Sequence, residues 1–249
     1  MQITPETLYT PAQRTRLAQA IGRRYSCRTF AGAPSVADWA SLSYAAQRYA
    51  LPGARLALLH VEENLFTGTV LGVGRITGCT AIAAVIASTD AERSRIHAGI
   101  LGETFCLEAC SMGLATCWVS GTYRKRMLTV DLRPGEAVLA IIAVGVPSGQ
   151  QPPIVRRRKP LEKICGGDVS RWPDNMRRVA EAVREAPSAM NMQPWQLNLA
   201  SSRLTIDTAD RAQLELGIAL CHAELTLDLP HVWQFGSGRK ETAVWAQPK

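Results

Sequence analysis

The spacing of apolar and polar residues predicts a chain that combines helices with strands. Helical spacing covers residues 11–24, and it returns in VADWASLSYAAQRYA, for which Ser35 is the expected N-cap. A turn at Pro52-Gly53 ends this second helix. Two runs rich in apolar residues, ARLALLHV from Ala54 and TAIAAVIAS from Thr80, then predict strands.

The middle of the chain is predicted to place a buried helix between buried strands. The longest helical pattern runs from Asp90 to about Met112, and its second half is apolar or small on nearly all sides. Gly113 is the expected left-handed residue just beyond its end. The continuous apolar runs ATCWVS and AVLAIIAVGVP that follow are typical of strands buried on both faces.

A connector after Pro147 separates two halves of unequal length. Its sequence, SGQQPPIVRRRKP, is rich in proline and polar residues. We place the boundary so that residues 1–165 form the first half and residues 166–249 a shorter second half.

The second half repeats some of the pattern of the first. It begins with a helix over about Pro173–Ala186, continues through the loop APSAMNMQPW and a hairpin formed by QLNLA and RLTIDTA, and then forms an apolar helix from about Arg211 to Leu227. GETFCLEA from Gly102 and GIALCHAE from Gly217 both place Cys four residues after Gly. This short match fits a second half that is a reduced copy of the first.

Composition excludes several classes of protein. Apolar residues make up 47% and charged residues 20% of the chain, with no apolar run long enough to span a bilayer and no signal peptide pattern at the start. We therefore expect a soluble, cytoplasmic protein. The net charge of +7 is compatible with nucleic acid, an anionic surface or a phosphorylated cofactor as partner. Because no long basic face with interleaved aromatic residues is evident, nucleic acid is not expected.

Metal, disulfide and dinucleotide sites are not indicated. The seven cysteines are scattered, and no pair has C-x-x-C spacing. His222 and His231 lack partners at metal-ligand spacing. In GVGRITG, Gly72 to Gly78, the third glycine comes one residue too late for a dinucleotide fingerprint, and a β-rich run follows it instead of a helix.

Two basic segments could bind an anion. Arg24 and Arg28 are four residues apart with the Ser26 hydroxyl between them, and Arg156–Lys159 form a second basic block. Guanidinium groups are planar forks of donors that match phosphate oxygens. Taken singly, each segment is explained at least as well as a solvated basic surface.

The loop APSAMNMQPW could bind a planar polar ligand. Its two prolines stiffen the backbone, and Ser188, Asn191 and Gln193 can supply hydrogen bonds. A connection that leads from a helix into a strand, with Trp195 in the core, explains the same residues equally well.

Taken together and in order, these segments resemble the FMN-dependent nitroreductase family over most of the chain. The segments concerned are RRYSCRTF, GETFCLEACSMGLATCWVSGTY, AIIAVGVPSGQ with RRRKPLEKI, and APSAMNMQPW. Ordinary members carry the last segment shortly after the first and form homodimers with flavin at the interface. Here it follows RKPLEKI, an order that resembles the TM nitroreductase subgroup, in which one fused chain imitates the dimer.

The resemblance implies an α+β, nitroreductase-like fold: a mixed, mainly antiparallel sheet with flanking helices, arranged as an intrachain pseudo-dimer. It also implies one FMN per chain, because the second half has no counterpart of Arg-x-Ser-x-Arg or GLATCW. The phosphate and ribityl end of FMN would be held by basic and hydroxyl side chains: Arg24, Ser26 and Arg28, joined by Arg156 and Arg158. The isoalloxazine would be lined by two groups of residues: Trp118, Val119, Ser120 and Gly121, with the Ser120 or Gly121 amide near N5, and Pro187, Ser188 and Asn191.

The implied activity is hydride transfer from NADH or NADPH through flavin N5 to a small organic acceptor, nitroaromatic-like or quinone-like, by a ping-pong mechanism. No side chain is expected to be an obligate acid or base. Two alternatives stay open: an FMN enzyme of the same fold with another redox reaction (dehydrogenation, dehalogenation or flavin fragmentation), and a non-enzymatic anion-binding or nucleic-acid-binding protein with a vestigial flavin site. Because a fused chain completes its own site, a monomer is expected.

Overall fold

Most helices and strands begin and end within a few residues of the positions that the sequence pattern predicts. The computed structural model describes residues 8–68, 75–91, 93–149, 157–201, 203–236 and 240–246. The helices are α1 (Pro11–Ile21), α2 (Val36–Arg48), α3 (Ser94–Ser111), α4 (Leu161–Ile164), α5 (Asp174–Glu185) and α6 (Gln213–Thr226). The strands are β1 (Phe30–Gly32), β2 (Ala54–His60), β3 (Ala81–Ser88), β4 (Ala115–Val119), β5 (Glu136–Pro147), β6 (Trp195–Ala200), β7 (Arg203–Ala209), β8 (Val232–Phe235) and β9 (Lys240–Ala246).

The chain divides into two compact units. One, here called the central unit, is Arg23–Val155, and the other, the terminal unit, is Met1–Gly22 together with Arg156–Lys249. This division differs from the predicted one, because α1 is part of the same unit as the C-terminal elements. The reason is a set of contacts between α1 and α6, described below.

The sheet of the central unit is antiparallel and is organised around its longest strand. β5 pairs with β3, with β4 and, at its end, with β1, while β2 pairs with the far side of β3. Register partners share a face, so Trp118 and Ile142 lie on one face, and Cys117 and Ala143 on the other. Helix α3 packs on the first face, and an apolar cluster that includes Phe30 covers the second. Burial of both faces explains why apolar and polar residues do not alternate along these strands.

Helix α3 is buried on nearly all sides, as its composition predicts. All side chains from Ile96 to Ala109 are buried. The helix begins at Ser94 rather than at Asp90, because Arg93 has a left-handed backbone with φ of 63°. It is followed by Gly113 with φ of 82°, the conformation predicted for that residue.

The terminal unit contains an antiparallel sheet of four strands in the order β6-β7-β9-β8. β6 and β7 form the predicted hairpin, with Trp195 opposite Thr208 and Ala200 opposite Arg203. The sequence pattern does not predict β8 and β9. A strand as short as β8 has too few residues for an alternation of apolar and polar positions to distinguish it from a loop. Its pairing with β9 is what defines it.

Helix α1 is attached to the C-terminal elements through a buried carboxylate. Thr10 caps the helix, and its Arg14 donates hydrogen bonds to the backbone carbonyl and to the carboxylate of Glu224 in α6. The other carboxylate oxygen of Glu224 lies 2.7 Å from Nε2 of His231 and 2.7 Å from Nε1 of Trp233. These contacts place α1 in the terminal unit despite its position at the start of the chain.

Candidate functional site

The basic segment near the start of the central unit runs along strand β4. Ser26 forms a parallel bridge with Thr116, and the Cys27 N–H donates to the Thr116 carbonyl at 2.9 Å. The segment is therefore extended, and successive side chains point in opposite directions. Cys27 is fully buried, whereas Ser26 and Arg28 are exposed. Helix α1 ends before this segment, at Ile21 and not at residue 24 as predicted.

Arg28 and Ser26 lie close to the thiol of Cys117. Burial raises the pKa of Cys117 to about 11, against the opposing influence of the Arg28 and Arg24 charges and of a hydrogen bond with Ser26. Within the described part of the chain, the exposed guanidinium of Arg28 has no hydrogen bond or ion pair. Its donors are thus available to an anion.

Arg24 is placed differently from Arg28, because its side chain is only 3% exposed. Its Nε lies 3.2 Å from Oε1 of Glu103, a fully buried residue of α3. The Nε1–H of Trp118 donates to the other oxygen of Glu103 at 2.9 Å. The guanidinium of Arg24 is therefore paired inside the central unit, and its role toward a phosphate stays a prediction.

The segment after β4 begins with a tightly packed tryptophan. The half-buried ring of Trp118 packs against α3 at Gly102, where a Cβ would lie 2.3 Å from Cη2 and 2.7 Å from Cζ2. Val119 is buried, and Ser120 and Gly121 are exposed directly after the strand. The two backbone amides predicted to lie beside the flavin are thus at the exposed end of a buried strand.

The terminal unit brings the second basic block and the APSAMNMQPW loop together. Arg158 donates from Nη1 to Oδ1 of Asn191 at 2.5 Å and from Nη2 to the Glu185 carbonyl at 2.8 Å. Asn191 in turn donates from Nδ2 to the carbonyl of Arg157. Arg156, which was predicted to act with Arg158, lies outside the described residues.

Two further contacts hold this loop against the connector. The backbone N–H of Lys159 donates to Oε1 of Gln193 at 3.0 Å, and its ammonium donates to the carbonyl of Met192 at 2.7 Å. The N–H of Gln193 donates to Oγ of Ser188 at 2.8 Å. Pro187 is buried, Ser188 half-buried and Asn191 exposed. Of the predicted residues, Arg158, Ser188 and Asn191 therefore belong to one bonded assembly.

The backbone of the loop is strained. Met190, Asn191 and Gln193 have φ values of 48°, 56° and 45°. A left-handed conformation costs a residue with a Cβ roughly 1–2 kcal/mol, and asparagine tolerates it best. Such strain persists only where surrounding contacts fix the backbone, and it is concentrated at functional sites.

Glu103 is the residue of this region that the sequence analysis did not identify. In the sequence, Glu103 stands out only as a member of the GETFCLEA repeat and of the family segment GETFCLEACSMGLATCWVSGTY. A usable signal was present, because a carboxylate in the middle of a largely apolar helix requires a buried donor or cation as partner.

Some alternative chemistries find no support in the described ranges. These residues contain no group of three or more His, Cys, Asp or Glu side chains arranged to hold a metal ion. None of the seven cysteines forms a disulfide. No helix within the same ranges is both long and apolar enough to cross a membrane.

Comparison with known proteins identifies related sequences and folds. The family model for the Putative TM nitroreductases matches residues 16–227. No curated protein matches the chain. Among solved structures, a putative nitroreductase from Thermotoga maritima is 22% identical, covers 92% of this chain and 93% of its own, and has a TM-score of 0.64. A nitroreductase with bound FMN from Desulfitobacterium hafniense is 19% identical, covers 57% of this chain and 94% of its own, and has a TM-score of 0.44.

The likeness to the Thermotoga protein shows a shared fold and confirms the predicted α+β, nitroreductase-like fold, while the pseudo-dimer arrangement stays a prediction. All pairing between named strands in the described residues is antiparallel, and parallel contact occurs only as isolated bridges.

Proposed function

The chain belongs to the TM nitroreductase family, and from this premise we propose that it is an FMN-dependent oxidoreductase. The observation that carries the proposal is the extent of the family match, residues 16–227, because it includes every residue for which a flavin contact is predicted. The chemistry of those residues supports it independently.

The donors on the basic segment fit the phosphate of FMN. Arg28 has an exposed guanidinium, Ser26 has an exposed hydroxyl, and backbone hydrogen bonds to β4 fix the segment that carries both. A guanidinium binds phosphate through two parallel N–H···O bonds, which are among the stronger hydrogen bonds in proteins. We propose that Ser26 and Arg28 bind the phosphate and ribityl end, with Arg24, Arg156 and Arg158 as further basic residues.

The two remaining groups of residues suit a flat, polar ring. The exposed backbone after Trp118 offers the amides of Ser120 and Gly121, and we propose that one of them lies near flavin N5, with Val119 behind it. Pro187, Ser188 and Asn191 complete the proposed lining. Because the contacts of Asn191 with Arg158 already fix this loop, little conformational freedom is lost when a ligand binds.

When bound, FMN would accept a hydride at N5 from NADH or NADPH and pass electrons to a small organic acceptor, such as a nitroaromatic or a quinone, in a ping-pong cycle. The chain would bind and orient the ring, and its positive charge and backbone amides would favour the reduced, anionic flavin. We assign no acid–base role to a side chain.

An absorption spectrum of the purified protein tests the proposal most directly. We expect a yellow protein that releases one FMN per chain on heating and is bleached by NADH or NADPH without oxygen. Bound FMN that neither nicotinamide reduces would favour a different redox reaction on this fold. A colourless protein that takes up no added FMN would contradict the proposal and favour an anion-binding protein.

Arg28→Ala tests the phosphate contact. A hydrogen bond to a charged group contributes about 1.5–3 kcal/mol, so FMN affinity should fall roughly 10- to 150-fold. Arg126→Ala removes the same charge from another exposed position of the central unit and serves as the matched control. Unchanged affinity in Arg28→Ala would refute the assignment of this residue.

A further inference from the structure

We infer that Glu103 is a positioning residue, a single buried carboxylate that joins the two flavin-contacting segments of the central unit; this inference rests on the proposed function. One segment carries Ser26 and Arg28, and the other begins at Trp118. Glu103 belongs to neither segment, and its helix lies beneath the sheet that carries the second.

The first segment is attached to Glu103 through Arg24. The Nε of Arg24 lies 3.2 Å from Oε1 of Glu103, and both side chains are almost completely buried. Arg24 comes two residues before Ser26 in an extended stretch whose backbone is bonded to Thr116. Because the Arg24 guanidinium is fixed at this point, it restrains the Ser26 hydroxyl and the Arg28 guanidinium that follow.

The second segment is attached to Glu103 through Trp118. The indole N–H donates to Oε2 at 2.9 Å, and the ring is packed against Gly102, the residue before Glu103. Trp118 is followed directly by Val119, Ser120 and Gly121. A shift of this ring therefore displaces the backbone amides proposed to lie beside the flavin.

Only a carboxylate can serve both partners. Oε2 accepts the hydrogen bond of the Trp118 indole, Oε1 faces the Arg24 guanidinium in an ion pair, and the charge of the carboxylate compensates that of Arg24, whose burial is costly without a counter-ion. A glutamine keeps the shape but turns an NH₂ group toward either Arg24 or Trp118, both of which are donors. In this arrangement Glu103 orients Arg24 and, through it, the segment that carries Ser26 and Arg28.

The test compares Glu103→Gln with Glu108→Gln. Glu108 is on the same helix and 5% exposed, and it accepts a hydrogen bond at 2.6 Å from Tyr49, which lies in neither segment. Both variants replace a buried carboxylate by the same amide. Glu103→Gln should bind FMN about tenfold more weakly, which corresponds to the loss of one hydrogen bond between the displaced segment and the charged phosphate. It should also shift the visible absorption bands of the bound flavin, whereas Glu108→Gln should change neither. Equal effects in both variants, or none in Glu103→Gln, would overturn the inference.

Hydrogen exchange without flavin separates this inference from the proposed function. Glu103→Gln should speed exchange of the Cys27 amide, which is bonded to the Thr116 carbonyl, and leave the ladder between β2 and β3 unchanged. If the wild type binds no FMN, the proposed function fails, and the exchange result alone decides whether Glu103 holds the segment. Unchanged exchange at Cys27 would overturn the link.

A double variant covers the case in which Glu103→Gln does not fold. Arg24→Met combined with Glu103→Met removes both buried charges, a change that buried ion pairs often tolerate. We expect a folded protein that binds FMN at least as weakly as Glu103→Gln, because it also lacks the Arg24 charge. Wild-type affinity would contradict the positioning role.

Discussion

Replacing Gly102 by alanine tests how tightly α3 and β4 are packed. A Cβ at this position would lie 2.3 Å from Cη2 and 2.7 Å from Cζ2 of Trp118, and 3.3 Å from Cδ1 of Ile142. Carbon atoms pack best at about 3.5–4.0 Å, so the indole ring has to retreat by roughly 1 Å or more. Because its Nε1 is bonded to Glu103 on the same helix, the retreat also lengthens that hydrogen bond.

Three effects determine the change in the free energy of unfolding. In an open helical site, alanine is about 1 kcal/mol better than glycine. Overpacking a core by one methyl group costs about 1–3 kcal/mol, and a weakened hydrogen bond to a buried carboxylate costs up to about 1.5–3 kcal/mol. The last two outweigh the first, so we expect Gly102→Ala to lower stability by about 2–4 kcal/mol.

Urea denaturation followed by circular dichroism measures this change, and two further variants identify its cause. Gly22→Ala is the control, because its backbone is right-handed with φ of −67° and the nearest atom to a new Cβ is 4.0 Å away. It should leave stability within about 0.5 kcal/mol of the wild type. Trp118→Phe removes the two ring atoms nearest the new methyl group and, with the indole N–H, the hydrogen bond to Glu103. In a Trp118→Phe background, Gly102→Ala should therefore lower stability by less than it does in the wild type. A Gly102→Ala protein as stable as the wild type would refute the packing argument.

Three other predictions concern the loop, acid stability and thiol reactivity. Asn191→Ala loses the hydrogen bond from Arg158 and places a less tolerant residue in the left-handed conformation, so the free energy of unfolding measured in urea should fall by about 1–3 kcal/mol. An unchanged value would show that this contact does not stabilise the loop. Hydrogen bonds from Arg55 lower the pKa of Glu136 to about 2 from its ordinary value of 4.5. This pair therefore stabilises the fold fully above about pH 4.5 and progressively less as the pH falls toward 2, and in a pH series of denaturation curves Glu136→Gln should lack this part of the acid dependence. Mass spectrometry after brief iodoacetamide treatment should find Cys110 modified first, because it is half-exposed, whereas burial raises the pKa of the Cys79, Cys117 and Cys165 thiols to about 11. Faster labelling of any of these three thiols would contradict their burial.

Local pattern was sufficient for most of the helices and strands. The N-cap Ser35 accepts a hydrogen bond from Asp38 N–H, Gly113 has the left-handed conformation predicted for it, and QLNLA and RLTIDTA pair as a hairpin. Caps, left-handed glycines and hairpins depend on neighbours within a few residues, so the sequence displays them directly. The order of the motifs likewise indicates the family without reference to the fold.

Burial and long-range pairing required the tertiary structure. Arg24 and Arg28 look equivalent in the sequence, yet one is paired with Glu103 inside the central unit and the other is exposed. Likewise, the bond between Arg158 and Asn191 joins segments that the chain separates by helices α4 and α5. Whether a basic side chain is solvated, buried or bonded to a loop depends on partners contributed by distant elements, and residue type and spacing carry no record of those partners.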